Sequence, residues 1–127
     1  MNIEFVLEGM VRSKKNGRMT NRRTGRSFVS PEYRNWHTDA VQQINHQKTQ
    51  LTGLPLNRVA ISVGFVFGTQ RRTDLSNKFE SIADLLVDTG ILVDDRWQVM
   101  NPVGIQGSYQ KGIERTIITL RVIEDEN

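Results

Sequence analysis

Ile3, Phe5 and Leu7 alternate with Glu4, Val6 and Glu8, and this period of two predicts a strand over residues 2–8. The pattern then stops. Residues 11–27 are polar, basic and glycine-containing, with no apolar period, and predict a loop or a long hairpin-like arm. A helical period begins after Ser30-Pro31-Glu32. Serine is a good N-cap, proline is tolerated at the first helical position, and an acid favours the positive helix end. Tyr33, Trp36, Ala40, Val41 and Ile44 carry this helix to about Gln50, where Thr52-Gly53-Leu54-Pro55 breaks it. Arg58–Phe67 is rich in β-branched and aromatic residues and nearly all apolar, which predicts a central strand. After a turn over residues 68–72, Leu75, Phe79, Ile82, Ala83 and Leu86 mark the apolar face of a second helix. Gly90 is placed to end it, with Ile91 as the hydrophobic partner of a Schellman-type cap. Val93–Arg96 reads as a turn. Trp97–Val103 and Arg115–Ile123 read as two strands joined by a glycine-rich hairpin containing Gly104, Gly107 and Gly112, with a frayed acidic tail over 124–127.

The predicted order is therefore β, arm, α, β, α, β, β. It implies an α+β (mixed α/β) fold in which a four-stranded sheet carries two helices. At 127 residues the chain makes one domain, residues 1–127, long enough to bury a core. No apolar run approaches the roughly 18 residues of a membrane span, and Met1–Glu8 lacks the basic and apolar regions of a signal peptide. The expected location is cytoplasmic. Zero cysteines exclude disulfides, cysteine–zinc sites and a thiol nucleophile. His37 and His46, nine residues apart, do not have metal-site spacing.

The net charge of +3 conceals an asymmetry. Residues 1–73 hold 12 Lys/Arg against 4 Asp/Glu, whereas residues 74–127 hold 5 against 10. Such a split suggests a basic surface for a polyanion beside an acidic site for a cation. Arg12, Lys14, Lys15, Arg18, Arg22, Arg23 and Arg26 fall in an arm, residues 11–27, that has no acid. Two readings stand: a solvated loop, or an arm that tracks phosphates.

The acidic half has its own pattern. Asp74 stands at the start of the second helix, directly after Arg71-Arg72-Thr73, and Asp94-Asp95 follow the end of that helix. Asp74 suits an N-cap, and Asp94-Asp95 suit a turn. Brought together, the same carboxylates would suit Mg²⁺, which needs only one or two of them, while Arg71 and Arg72 would hold a phosphate. Glu80, Asp84 and Asp88 recur at i, i+4 and i+8: either a solvated helix face or an extension of that site. Tyr33 and Trp36 suit core packing by their spacing, or stacking on bases.

These residues resemble the RusA-type Holliday junction resolvases of phages and prophages. The resemblance runs in order through Ser13-Lys14-Lys15-Asn16, Ser30-Pro31-Glu32-Tyr33, Asp74-Leu75-Ser76-Asn77, Asp84-Leu85-Leu86 and Gly90-Ile91-Leu92-Val93-Asp94-Asp95. It implies a RusA-like fold and a homodimeric, Mg²⁺-dependent endonuclease (Mn²⁺ as a substitute) that nicks opposed strands of a four-way DNA junction. It implies Asp74 and Asp95 as metal ligands, with Asp94 beside them. DNA would be held by Asn16 and the arm's basic residues together with Arg71 and Arg72. The chain departs from the family pattern twice: Ser76 replaces a second aspartate, and Glu80 replaces a catalytic lysine. Glu80 is then expected to return the missing carboxylate and Lys78 the missing positive charge. The alternative is a DNA-binding protein of the same fold without cleavage.

Overall fold

The computed structural model describes residues 1–14 and 18–124, so Lys15, Asn16 and Gly17 of the arm and Asp125–Asn127 of the tail lie outside the described residues. The elements are β1 (Asn2–Glu8), β2 (Arg18–Thr20), β3 (Ser27–Val29), α1 (Pro31–Lys48), β4 (Val59–Phe67), α2 (Leu75–Asp88), β5 (Met100–Tyr109) and β6 (Arg115–Val122). Four strands form a mixed sheet in the order β1-β6-β4-β5. β2 and β3 form a separate hairpin inside the basic arm. No helix among the described residues is long and apolar enough to cross a membrane.

The helices cover one face of the sheet. Phe5 and Leu7 of β1, Ile61 and Phe65 of β4, and Ile118 and Leu120 of β6 alternate inward, and each is nearly inaccessible to solvent. They meet Trp36, Ala40 and Ile44 of α1 and Ile82, Leu85 and Leu86 of α2 in one core. The predicted caps are present. Ser30 accepts a hydrogen bond from the Tyr33 amide at 3.2 Å. At the far end of α2 the Gly90 amide reaches the Val87 carbonyl and the Ile91 amide the Leu86 carbonyl, with Gly90 at φ +75°. Those two bonds close a Schellman motif, which needs the left-handed backbone that glycine adopts freely.

The two sheet edges are treated differently. On β1, Gln47 accepts from the Val6 amide (2.9 Å) and donates to the Val6 carbonyl (2.7 Å), and Gln43 does the same for Glu8 (2.9 and 3.1 Å). Two side-chain amides of α1 thus occupy an edge that would otherwise offer unpaired backbone groups. Gln47→Ala is expected to lower stability by about 1–2 kcal/mol, the scale of leaving such groups unpaired, measured by urea denaturation. β5 forms the other edge, with no strand beyond it among the described residues.

β5 corrects the sequence reading. The strand begins at Met100, because a turn in which the Val99 and Met100 amides both bond the Arg96 carbonyl comes first. It also runs through Gly104 and Gly107 to Tyr109, so the glycine-rich segment is strand, and the turn to β6 follows it with Gly112 at φ +76°. A bulge opposite Ile61/Ser62 lets the strand pass Pro102 and leaves Val103 out of register and 63% exposed. An edge strand tolerates the proline and the glycines that a central strand would not.

Candidate functional site

Parallel pairing of β4 and β5 requires a crossover, and α2 supplies it. The fourteen residues of α2 span about 21 Å. Asp74 caps its start, and Glu80 and Asp84 lie midway along it.

At the start of α2, Asp74 is the N-cap. Its Oδ1 accepts from the Ser76 amide (2.9 Å), the Ser76 hydroxyl (2.6 Å) and the Asn77 amide (3.3 Å), and its Oδ2 accepts from the Asn77 side chain (3.2 Å). The capping role expected of this segment is filled by Asp74, and Ser76 serves it. Both residues remain exposed.

Farther along the helix, Glu80, Ala83 and Asp84 meet Asp95, Trp97 and Met100 in an open cleft of about 490 Å³. The chain turns after Gly90 and brings Asp95 back alongside the helix. Asp94 fixes that turn by accepting from the Asp95 amide (2.8 Å), and Arg96 lies 3.4 Å from its other oxygen. Asp74 is not among the residues that line this cleft. Partial burial raises the Asp84 pKa above the ordinary carboxylate range. Lys14 opposes that rise, and the charges of Asp88, Asp95 and Glu80 add to it. Two members of the acidic stripe, Glu80 and Asp84, thus share a cleft with Asp95, while the exposed Asp88 does not line it.

This donor set is all carboxylate oxygen, which in kind suits a hard divalent cation that keeps several waters. Asp95, Glu80 and Asp84 are the residues that would hold one. No group of three or more carboxylates or imidazoles among the described residues is gathered closely enough to form a ready metal cage. Trp97, 70% exposed, lines the same cleft, whereas Trp36 is buried. Mn²⁺ in the cleft is therefore expected to quench the Trp97 part of the emission, and Trp97→Phe to abolish the quenching; an unchanged titration in Trp97→Phe would contradict this placement.

Lys78 does not supply a charge to the cleft. It is 7% exposed, its ammonium donates to the Val11 carbonyl, and it sits 5.9 Å from the centre of the Phe67 ring. Burial lowers its pKa, with a further contribution from Arg12 that Glu114 opposes. One turn on, Ser81 donates to the Arg12 carbonyl (2.8 Å) and accepts from the Lys14 amide (3.3 Å). Lys78 and Ser81 thus tie the root of the basic arm to α2, and the Lys14 ammonium lies 4.0 Å from Asp84.

Beyond that root the arm is a built hairpin. Asn21 accepts from the Arg23 and Thr24 amides at 2.9 and 3.3 Å, and its backbone bonds Arg26 and Gly25. The turn displays Arg22, Arg23 and Arg26 to solvent; Arg18 begins β2. Arg71 and Arg72 lie elsewhere, in a cleft at the start of α2. Tyr33 and Trp36 pack in the core, with ring centres 5.6 Å apart. Burial, aided by Asp84 and Asp88, pushes the Tyr33 phenol up to about 12. Comparison with known protein families and with curated proteins finds no family model and no protein that matches this chain.

Proposed function

We propose that this protein is a divalent-metal-dependent, structure-selective DNA endonuclease of the RusA type, acting on four-way junctions as a homodimer. The observation that carries this reading is the meeting of two opposite surfaces at Asp84. A cleft of three carboxylates opens along α2, and the arm that begins at Arg12 and Lys14 is fastened to the same helix. Carboxylates alone would repel a phosphodiester. A neighbouring basic arm offsets that repulsion and brings the backbone to the cleft.

In this reading the arm's arginines hold phosphates without reading sequence. Glu80 and Asp95 would hold the cation, with Glu80 in the place of the missing carboxylate. The cation, when bound, neutralises charge developing on the phosphate. Trp97 forms an apolar wall at the mouth of the cleft. A twofold dimer would present two such clefts to a twofold substrate.

A second reading, DNA binding without cleavage, draws on one observation: the oxygens of Asp74 accept hydrogen bonds from the first turn of α2, and Asp74 is not among the residues that line the Asp95 cleft. Nicking of a four-way junction by wild type and Asp74→Asn separates the two. Asparagine still caps a helix, so the fold is retained. Metal-dependent nicking by wild type supports the nuclease, and its loss in Asp74→Asn shows that the charge of Asp74 serves the reaction as well as the cap. Tight binding without nicking in Mg²⁺ or Mn²⁺ supports the binding-only reading.

A further inference from the structure

The second cleft lies at the carboxyl ends of β4 and β5, where the chain leaves the sheet to enter α2. Ligands of open sheets with parallel strands commonly bind at this end. Its floor is apolar. Phe67 and Leu75 meet across Gly107, where a Cβ would lie 3.2 Å from the Phe67 ring and 3.5 Å from Leu75, so only glycine leaves the ring in place. Tyr109, two residues on along the same face of β5, forms a wall and is 49% exposed. Arg71 and Arg72 line the same cleft, are exposed, and take part in none of the ion pairs among the described residues.

A half-exposed aromatic ring at the side of an apolar floor, with two exposed guanidinium groups in the same cleft, matches a flat ring attached to an anion. The cleft is open, so it suits one unit of a longer strand. A duplex keeps its base faces stacked inside, so only an unpaired nucleotide could use the tyrosine. We propose that this cleft binds an unpaired nucleotide of a DNA strand, its base stacked on Tyr109 and its phosphate held by Arg71 and Arg72. The assignment rests on the reading of the protein as a DNA endonuclease, and it adds a site for strand opening distinct from the acidic cleft.

Fluorescence anisotropy with a labelled oligothymidylate and with a labelled duplex tests it, using wild type, Tyr109→Ala, Tyr109→Phe and the double variant Arg71→Ala/Arg72→Ala. The expected result is a roughly ten-fold loss of single-strand affinity in Tyr109→Ala, the scale of one lost base stack. Affinity returns in Tyr109→Phe, the duplex affinity of Tyr109→Ala changes less than two-fold, and salt dependence weakens in the arginine variant. Unchanged single-strand affinity in Tyr109→Ala, an equal loss on duplex, or no single-strand binding by wild type overturns the assignment. Junction nicking in the same preparations separates the two claims. Nicking with no effect of Tyr109→Ala on single-strand binding refutes the cleft alone. Tyr109-dependent binding without nicking leaves the cleft standing and refutes the nuclease.

Discussion

Replacing Arg22, Arg23 and Arg26 with alanine is expected to weaken binding to branched DNA on the order of 100-fold near physiological salt. The three side chains stand in an exposed turn held by Asn21 and Gly25, so their loss leaves the hairpin backbone in place. Each phosphate contact contributes a slope of about 0.9 to the dependence of log affinity on log salt. Three lost contacts should therefore flatten that slope by about 2.7. The weakening should be alike for different DNA sequences, because backbone contacts carry no base information. Titrations at several salt concentrations check it. An unchanged slope would make the arm a solvated hairpin and nothing more.

Asp95→Asn is expected to cut the rate of junction nicking by at least about 100-fold, in line with removing a ligand from a catalytic metal site. Binding in the absence of metal should hold or tighten, since one negative charge leaves the cleft. Stability should hold or rise, because Asp95 is exposed and its charge only adds to the repulsion on Asp84. Single-turnover nicking, gel-shift affinity in chelator and thermal denaturation measure the three quantities. A rate within a few-fold of wild type would remove Asp95 from the site.

What the sequence made legible was local. The capping serine, the glycine after α2 and the apolar faces of both helices are set by neighbours within a few residues, and the structure has each of them in place. The central position of β4 also follows from its composition, which leaves no polar face to solvate. Non-local features were not legible. Nothing in the spacing of Lys78 shows that its ammonium is spent on the Val11 carbonyl; burial depends on where the arm returns. Trp97 has strand-forming chemistry, yet a turn closed on the Arg96 carbonyl leaves it in solvent at the mouth of the acidic cleft. That Asp95 lines a cleft with Glu80 and Asp84, while Asp74 is not among its lining residues, depends on how the chain folds back after Gly90. The i, i+4 spacing put Glu80 and Asp84 on one side of the helix, and only the fold shows that Asp95 lines the same cleft.

Cooperation of the acidic cleft and the basic arm in cutting branched DNA is the heart of the proposed function. Its most direct measurement is single-turnover cleavage of an end-labelled four-way junction by the wild-type protein, with Mg²⁺ and with chelator, beside a linear duplex of the same sequence. The expected result is paired nicks at symmetric positions on opposed strands, present with Mg²⁺, absent with chelator, and far slower on the duplex. Tight junction binding with no nicks in either Mg²⁺ or Mn²⁺ would contradict it.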